Sequence, residues 1–122
     1  MELLHKNLTE EIIGAAFEVH RHLGYGFLEN VYQRAMKVEL ELRGLKADLE
    51  SRIEVRYKNV VVGIYEADIL VNETVIVETK VAWEYQPADE PQLLNELKGT
   101  GIKVGLLINF GRAKVEFKRF VF

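Results

Sequence analysis

The sequence predicts an α/β domain in which a mixed β-sheet is flanked by helices, with the elements in the order ααβββαββ. Apolar residues recur at helical spacing over the first 44 residues and then mostly alternate, as in strands. One further helical segment separates a meander of three strands from another apolar strand, which predicts a crossover within the sheet. The length of 122 residues fits one domain, and we expect it to span residues 1–122.

Two helices are predicted at the start of the chain. Asn7 or Thr9 is a suitable cap for the first helix, and Gly24 and Gly26 stop it. Its apolar positions are Leu8, Ile12, Ala16, Val19 and Leu23. The second helix begins near Phe27 or Leu28 and ends at Gly44, a residue suited to a left-handed cap. Its predicted apolar stripe is Val31, Ala35, Val38 and Leu42.

Three strands are predicted next. Residues 52–57 alternate polar with apolar, and Lys58 with Asn59 forms a turn before a strand over about 60–71. After residues 72–74, the β-branched run VIVETKV predicts a third strand.

The remaining elements are a helix and two strands. The segment QLLNELKGTG predicts a helix with Pro91 in its first turn and Gly99 or Gly101 at its end. The nearly continuous apolar run KVGLLINF is typical of a strand buried on both faces, and KVEFKRFVF alternates like a more exposed strand.

Composition excludes several functional classes. Hydrophobic residues make up 48% and charged residues 29%, without an apolar run of the roughly 18 residues that a membrane helix requires. The chain has no cysteine and no signal-like N-terminal segment, so we expect a cytoplasmic protein. The net charge of -3 argues against nucleic-acid binding by bulk charge, but a carboxylate site becomes attractive to phosphate once a cation fills it.

One group of polar residues could carry chemistry. Glu78 and Lys80 are two apart on the third strand and so point to one face, about 6.6 Å apart. An exposed salt bridge would explain a lone pair of this kind. Here the strand is otherwise apolar, and Asp68 on the preceding strand can lie beside Glu78 in a hairpin.

The register of this hairpin tests the idea. Asp68 opposes Glu78 only if Val71 opposes Val75, which leaves a three-residue loop with Asn72 at a left-handed position. A two-residue loop would put Asp68 opposite Val77 instead. Two adjacent carboxylates repel unless a cation lies between them, and hard oxygen ligands favour Mg²⁺ or Mn²⁺. With Lys80 to neutralise a phosphate, the set supports metal-assisted attack of water on a phosphodiester.

These residues resemble a known family. Asp68 followed by Glu78-Thr79-Lys80 is similar to the signature of the PD-(D/E)XK nuclease superfamily, and GFLENVY at 26–32 resembles the motif of its GxxExxY branch. The resemblance extends from LTEEIIGAAFEVHRHLG through GLLINFG. It implies a restriction-endonuclease-like fold and a metal-dependent nuclease with Mg²⁺ or Mn²⁺ that acts on nucleic acid, with DNA favoured over RNA. A non-catalytic interaction or regulatory module that keeps the fold is the leading alternative. A third possibility is a metal-independent nucleic-acid binder that uses Trp83, Tyr85 and the basic C-terminal strand.

The resemblance also implies residue roles. Glu29 would bind metal or orient water, Asp68 and Glu78 would be metal ligands with the Thr79 carbonyl, and Lys80 would be the catalytic lysine. The remaining implied site residue is Gln92, which would contact the lysine, water or nucleic acid. The sequence departs from the family pattern at Asp89, where histidine is frequent, and at Glu66, where a basic residue is common.

Other residues have weaker functional interpretations. Trp83 and Tyr85 could stack on bases or cover the sheet edge. Tyr32 is expected to pack on the sheet rather than bind Glu29, and His20 with His22 to interact with helix carbonyls. A basic C-terminal surface could contact phosphates or be a solvated face, and its residues are Arg112, Lys114, Lys118 and Arg119. A nuclease that cuts both strands of a duplex would often need two copies of its site, which leaves a homodimer open.

Overall fold

The computed structural model describes residues 4–84 and 86–122 and has the expected element order. The helices are α1 (Lys6–Leu23), α2 (Glu29–Leu42) and α3 (Asp89–Thr100). The strands are β1 (Ala47–Tyr57), β2 (Val60–Val71), β3 (Val75–Lys80), β4 (Val104–Asn109) and β5 (Glu116–Val121). No helix in these described ranges is long and apolar enough to cross a membrane.

The five strands form one sheet in the order β1-β2-β3-β4-β5. All neighbours are antiparallel except β3 and β4, which are parallel and joined through α3. The mixed sheet flanked by helices is therefore confirmed. All six residues of β4 are buried, as the continuous apolar run predicts for a strand covered on both faces.

Two hydrophobic layers cover the two faces of the sheet. Helices α1 and α2 pack on one face, where Tyr32, Met36 and Phe110 are fully buried. Helix α3 packs on the other face through Leu93 and Leu97. We call these the α2 face and the α3 face.

The hairpin between β2 and β3 has the register that places Asp68 near Glu78. Val71 pairs with Val75, and Asn72 and Glu73 both have positive φ, 50° and 55°. The three-residue loop is therefore confirmed. The backbone pairing stops after Ile69 and Val77, so the next position, Asp68 with Glu78, lies where the two strands begin to separate.

The long β1–β2 hairpin reverses its alternation at one point. Ala67 packs on the α3 face although Ile69, two residues later, packs on the α2 face. The β1–β2 pairing skips Glu50 and Asp68, and Glu50 has a φ of 49°. This reversal explains why the alternating pattern predicts β1 only from residue 52, whereas the strand begins at Ala47.

Two details of the helices differ from prediction. The first helix starts at Lys6 without a side-chain cap, and the Thr9 hydroxyl instead donates to the Lys6 carbonyl at 3.0 Å. On α2 the buried residues are Tyr32, Met36 and Leu40, none of which belongs to the predicted stripe. Val38 and Leu42 are exposed because the large side chain of Tyr32 takes the position against Phe110, with ring centroids 4.8 Å apart.

Candidate active site

Side chains connect β2 and β3 where the backbone pairing ends. The Asp68 carboxylate accepts a hydrogen bond from the Thr79 backbone N–H at 2.9 Å. In return, the Glu78 carboxylate accepts one from the Asp68 backbone N–H. Each carboxylate thus occupies the place of a backbone acceptor, which satisfies N–H groups that the separating strands would otherwise leave unpaired. The separation of the strands fixes two acidic side chains at one end of the sheet.

Thr79 joins this end of the sheet to helix α2. Its side chain is fully buried, and its hydroxyl lies 3.0 Å from Glu29 Oε1 and 3.2 Å from Asp68 Oδ2. Gln33, one turn after Glu29, donates to the same hydroxyl oxygen at 2.9 Å. Burial is the main cause that raises the pKa of Glu29, with a smaller contribution from the charge of Asp68. Glu29 and Asp68 therefore meet at Thr79 on the α2 face.

Glu78 points to the other face of β3. Its carboxylate accepts a hydrogen bond from the Tyr65 hydroxyl and lies close enough to Glu96, on α3, for their charges to interact. Burial first, and the charge of Glu96 second, raise the pKa of Glu78 to about 8. Burial also raises the pKa of Glu96 to about 7, although a hydrogen bond from Gln92 acts to lower it. Glu78 thus favours its neutral form at pH 7 in the absence of a cation.

A groove runs along the α3 face beside these groups, and Lys80 lies in it. The ammonium of Lys80 is 3.9 Å from Asp89 Oδ1, at the start of α3, and its side chain is 38% exposed. The groove is lined by Glu78, Lys80, Asp89, Gln92, Leu93, Glu96 and Leu107. A phosphate in this groove would contact Lys80, whose positive charge is partly offset by Asp89.

The predicted site residues form two adjoining groups. Glu29, Asp68 and Thr79 meet on the α2 face, whereas Glu78, Lys80 and Gln92 line the α3 groove. Charge interactions connect the groups, because Glu29 and Asp68 lie within electrostatic range of Lys80 and Glu96 respectively. The α3 group includes Glu96, which sequence reasoning missed. The signal that could have found Glu96 is its i,i+4 spacing from Gln92, which puts both on one helix face.

Comparison with known proteins identifies the family. The model of the PD-(D/E)XK nuclease superfamily matches residues 6–120, nearly the whole chain. The chain belongs to the PD-(D/E)XK nuclease superfamily. A search among curated proteins found no match. The solved structure titled "Crystal structure of SSO0001" has the same fold at 16% identity and a TM-score of 0.54, over 96% of this chain and 59% of that chain.

Nucleases of the PD-(D/E)XK superfamily generally use divalent metals. The oxygen atoms of this site can therefore be compared with the ligands that such metals prefer. Glu29, Asp68 and Glu78 supply the hard oxygen atoms that such cations prefer. No three acidic or histidine side chains in the described residues stand in a geometry that could hold an ion. Mg²⁺ keeps several waters and commonly takes only one or two carboxylates plus substrate phosphate, so the donor chemistry fits.

The other candidate residues have mostly structural roles in this PD-(D/E)XK domain. The Tyr32 hydroxyl donates to the Gly24 carbonyl at 2.6 Å, which confirms packing rather than a bond to Glu29. The expected helix capping by His20 is wrong, because its Nε2 lies 2.7 Å from the Arg112 carbonyl across the fold. Phe110 stacks against the His20 ring and holds it in that direction.

The aromatic and basic candidates differ in how available their side chains are to contact nucleic acid. Trp83 is 70% exposed, so it does not cover the sheet edge, and Tyr85 lies outside the described residues. In the C-terminal basic group, Arg112 pairs with Glu116 at 3.3 Å and Lys118 with Glu90 at 2.7 Å. These ion pairs favour a solvated, neutralised face over a phosphate-binding surface.

Proposed function

We propose that this chain is a divalent-metal-dependent nuclease that hydrolyses phosphodiester bonds in DNA. The observation that carries the proposal is the reciprocal bonding of Asp68 and Glu78 at the separated end of β2 and β3, beside Glu29 and Lys80. Superfamily membership supports the reaction class, and DNA is chosen over RNA by analogy with the superfamily.

The proposed roles draw on residues from both faces of β3, which meet where β2 and β3 separate. Asp68, Glu78 and the Thr79 carbonyl would hold Mg²⁺ or Mn²⁺, with Glu29 as an outer carboxylate. When bound, such a cation supplies Lewis acidity and lowers the pKa of an attacking water. Lys80 would turn from Asp89 to a phosphate oxygen, because a strongly charged phosphate can compete with an ion pair that is as long as 3.9 Å. Gln92, held by Glu96, would orient water or substrate at the groove wall.

A cleavage assay tests the nuclease proposal directly. Single- and double-stranded DNA and RNA are incubated with Mg²⁺, Mn²⁺ or chelator, and wild type is compared with Lys80→Ala. We expect metal-dependent cleavage that Lys80→Ala reduces by about 100- to 1,000-fold, the usual cost of removing one charge-stabilising group. Lys98→Ala, which removes an exposed lysine of α3, is the matched control and should leave the rate unchanged. Equal activity in the Lys80→Ala variant would refute the assignment.

A second candidate is a non-catalytic interaction or regulatory module that retains the fold. The Lys80–Asp89 pair and the lack of a three-ligand metal cluster in the described ranges favour it. This alternative predicts no cleavage of any of the four substrates and partner binding that persists in chelator and in Asp68→Ala. The nuclease proposal predicts that chelator abolishes turnover.

We place the chain in the GxxExxY branch on the motif from Gly26 to Tyr32, and in the cytoplasm on its lack of cysteine. We treat residues 1–122 as one nuclease domain. Cutting both strands of a duplex often needs two copies of a site, which leaves a homodimer open. Light scattering during size-exclusion chromatography tests this state at the concentration of the cleavage assay.

A further inference from the structure

We propose that the substrate of this site carries unpaired bases and that one of them stacks on Trp83, so that single-stranded segments are bound in preference to intact duplex. This inference rests on the proposed nuclease function and adds the substrate class. Aromatic rings that stack on bases require bases outside a duplex, since paired bases are already stacked on their neighbours.

Trp83 stands next to the proposed catalytic lysine. It follows Lys80 by three residues, so their Cα atoms are at most about 11 Å apart. Ala82, between them, lines a second pocket that shares Lys80 and Asp89 with the groove and reaches Gln86. A base on Trp83 would therefore lie within a few nucleotides of a phosphate at Lys80. This segment is therefore close enough to Lys80 to contact the strand that would be cut.

The backbone that carries Trp83 is held in place. Asn109, at the end of β4, accepts from the Ala82 N–H at 3.0 Å and donates to the Ala82 carbonyl at 2.8 Å. A Cβ added at Gly111 would meet the Val81 carbonyl carbon at 2.5 Å and the Ala82 oxygen at 2.6 Å. The segment is thus packed against backbone on one side while the Trp83 ring remains 70% exposed. A fixed backbone lowers the ordering cost of using an exposed ring as a contact.

A second pair of exposed aromatic residues lies before Glu29. Tyr25 is 56% and Phe27 is 47% exposed, in the loop that enters α2. The buried Tyr32 hydroxyl bonds the Gly24 carbonyl and the Phe27 N–H, which fixes this loop. Exposed aromatic residues therefore occur in the segment before Glu29 and in the segment after Lys80, where a bound strand could meet both.

Charge around the groove favours stacking over phosphate contacts. Lys80 has Asp89 as a partner, Lys118 has Glu90, and the sequence has a net charge of -3. Duplex binding depends mainly on cations that neutralise phosphates along both strands. Bases stacked on aromatic rings add affinity that does not require cations, which suits this surface.

The experiment uses Trp83 as its own reporter, because it is the only tryptophan in the sequence. Tryptophan fluorescence is titrated with a single-stranded oligothymidylate and with a blunt DNA duplex of equal length, in Ca²⁺ and in chelator. Binding is also measured by anisotropy of the labelled oligonucleotides. We expect saturable quenching by the single strand and tighter binding of the single strand than of the duplex.

Variants separate stacking from folding. Trp83→Leu should weaken single-strand binding by about 5- to 150-fold, the range for loss of one base stack, and Trp83→Phe should recover part of the loss. Phe122→Leu is the control, because Phe122 is also exposed but bonds Lys103 at the opposite end of the sheet. Thermal unfolding checks that each variant folds.

Equal affinity for duplex, or unchanged binding by Trp83→Leu, would overturn this inference even if metal-dependent cleavage is observed. So would the lack of quenching by the single strand. Quenching and single-strand preference without cleavage in Mg²⁺ or Mn²⁺ would support it as a binding property while the nuclease proposal fails.

Discussion

On the α2 face of β3, Glu29 and Asp68 share the hydrogen-bonding groups of Thr79, whereas on the α3 face Glu78 and Glu96 have each other as charged neighbours. The first pair is positioned by a buried hydroxyl and a backbone N–H. The second pair is positioned by Tyr65 and Gln92 but carries the larger electrostatic cost, with pKa values raised to about 8 and 7. The α2 face therefore organises the site, and the α3 face holds the groups that gain most from an added cation.

Removal of Asp68 should produce the largest effect, because this residue connects the two faces. Asp68→Ala should reduce metal-dependent cleavage by about 100- to 1,000-fold and lower the free energy of unfolding by about 1–3 kcal/mol, since the buried Thr79 N–H loses its acceptor. Single-turnover rates and urea denaturation measure the two effects. Asp48→Ala on the adjacent strand should change neither by a comparable amount, and equal losses in both variants would contradict the role of Asp68.

The next prediction concerns the pH dependence of stability, which we assign to Glu78 on the α3 face. Glu78 has a pKa of about 8 in the folded protein and 4.5 as its ordinary value, so between these limits the folded state binds the extra proton. The free energy of unfolding should therefore fall as pH rises from 4.5 to 8, by at most about 1.4 kcal/mol per pH unit. Chemical denaturation of metal-free protein at several pH values checks this slope.

Glu78→Gln is the companion to that measurement. The neutral amide should flatten the decline and leave the variant more stable than wild type at pH 8. A slope that is identical in wild type and variant would mean that Glu78 is not the titrating group.

A smaller effect is expected from Glu96, which acts through Gln92 and Glu78. Glu96→Gln keeps the side-chain shape but removes one negative charge from the groove, so affinity for Mn²⁺ should fall by about 10-fold, as for other outer residues of metal sites. Isothermal titration calorimetry measures this affinity. Glu41→Gln, at an exposed end of α2, is the control, and an equal loss there would assign the effect to overall charge.

Thr79→Val should have the smallest effect and should be confined to the α2 face. It keeps the volume of the side chain but removes the partner of Glu29 and Gln33, at a cost of about 1 kcal/mol in the free energy of unfolding. The decline of stability with pH should persist, because Glu78 is on the other face. Thermal unfolding from pH 5 to 8 tests this, and loss of the pH dependence would show that the faces are not separable.

Much of the fold follows from local patterns in the sequence. Apolar periodicity and turn residues predict the order of elements, whereas they leave two registers open for the β2–β3 hairpin, and the three-residue loop 72–74 is the one formed. The buried face of α2 differs from the predicted stripe because apolar character alone does not favour Tyr32 over Val31. Packing against Phe110 makes that distinction, and it depends on a residue from the far end of the chain.

The site is less predictable than the fold. Asp68 and Glu78 are found from their spacing, but the reciprocal bonds between them depend on the exact point at which two strands separate. Glu96 has the sequence context of an ordinary helix-surface acid. Its role becomes visible only when α3 is placed over β3, which local sequence does not determine.

The reversal of alternation at Glu50 and Asp68 has a consequence for how the site is assembled during folding. Each of the two long strands contributes one part to the layer under α2 and another to the layer under α3, and Asp68 sits at the crossing point. A chain on which only one of these helices has docked would have half of its acidic residues in position. Under the proposed function, cleavage would therefore require both helices to be docked on the sheet.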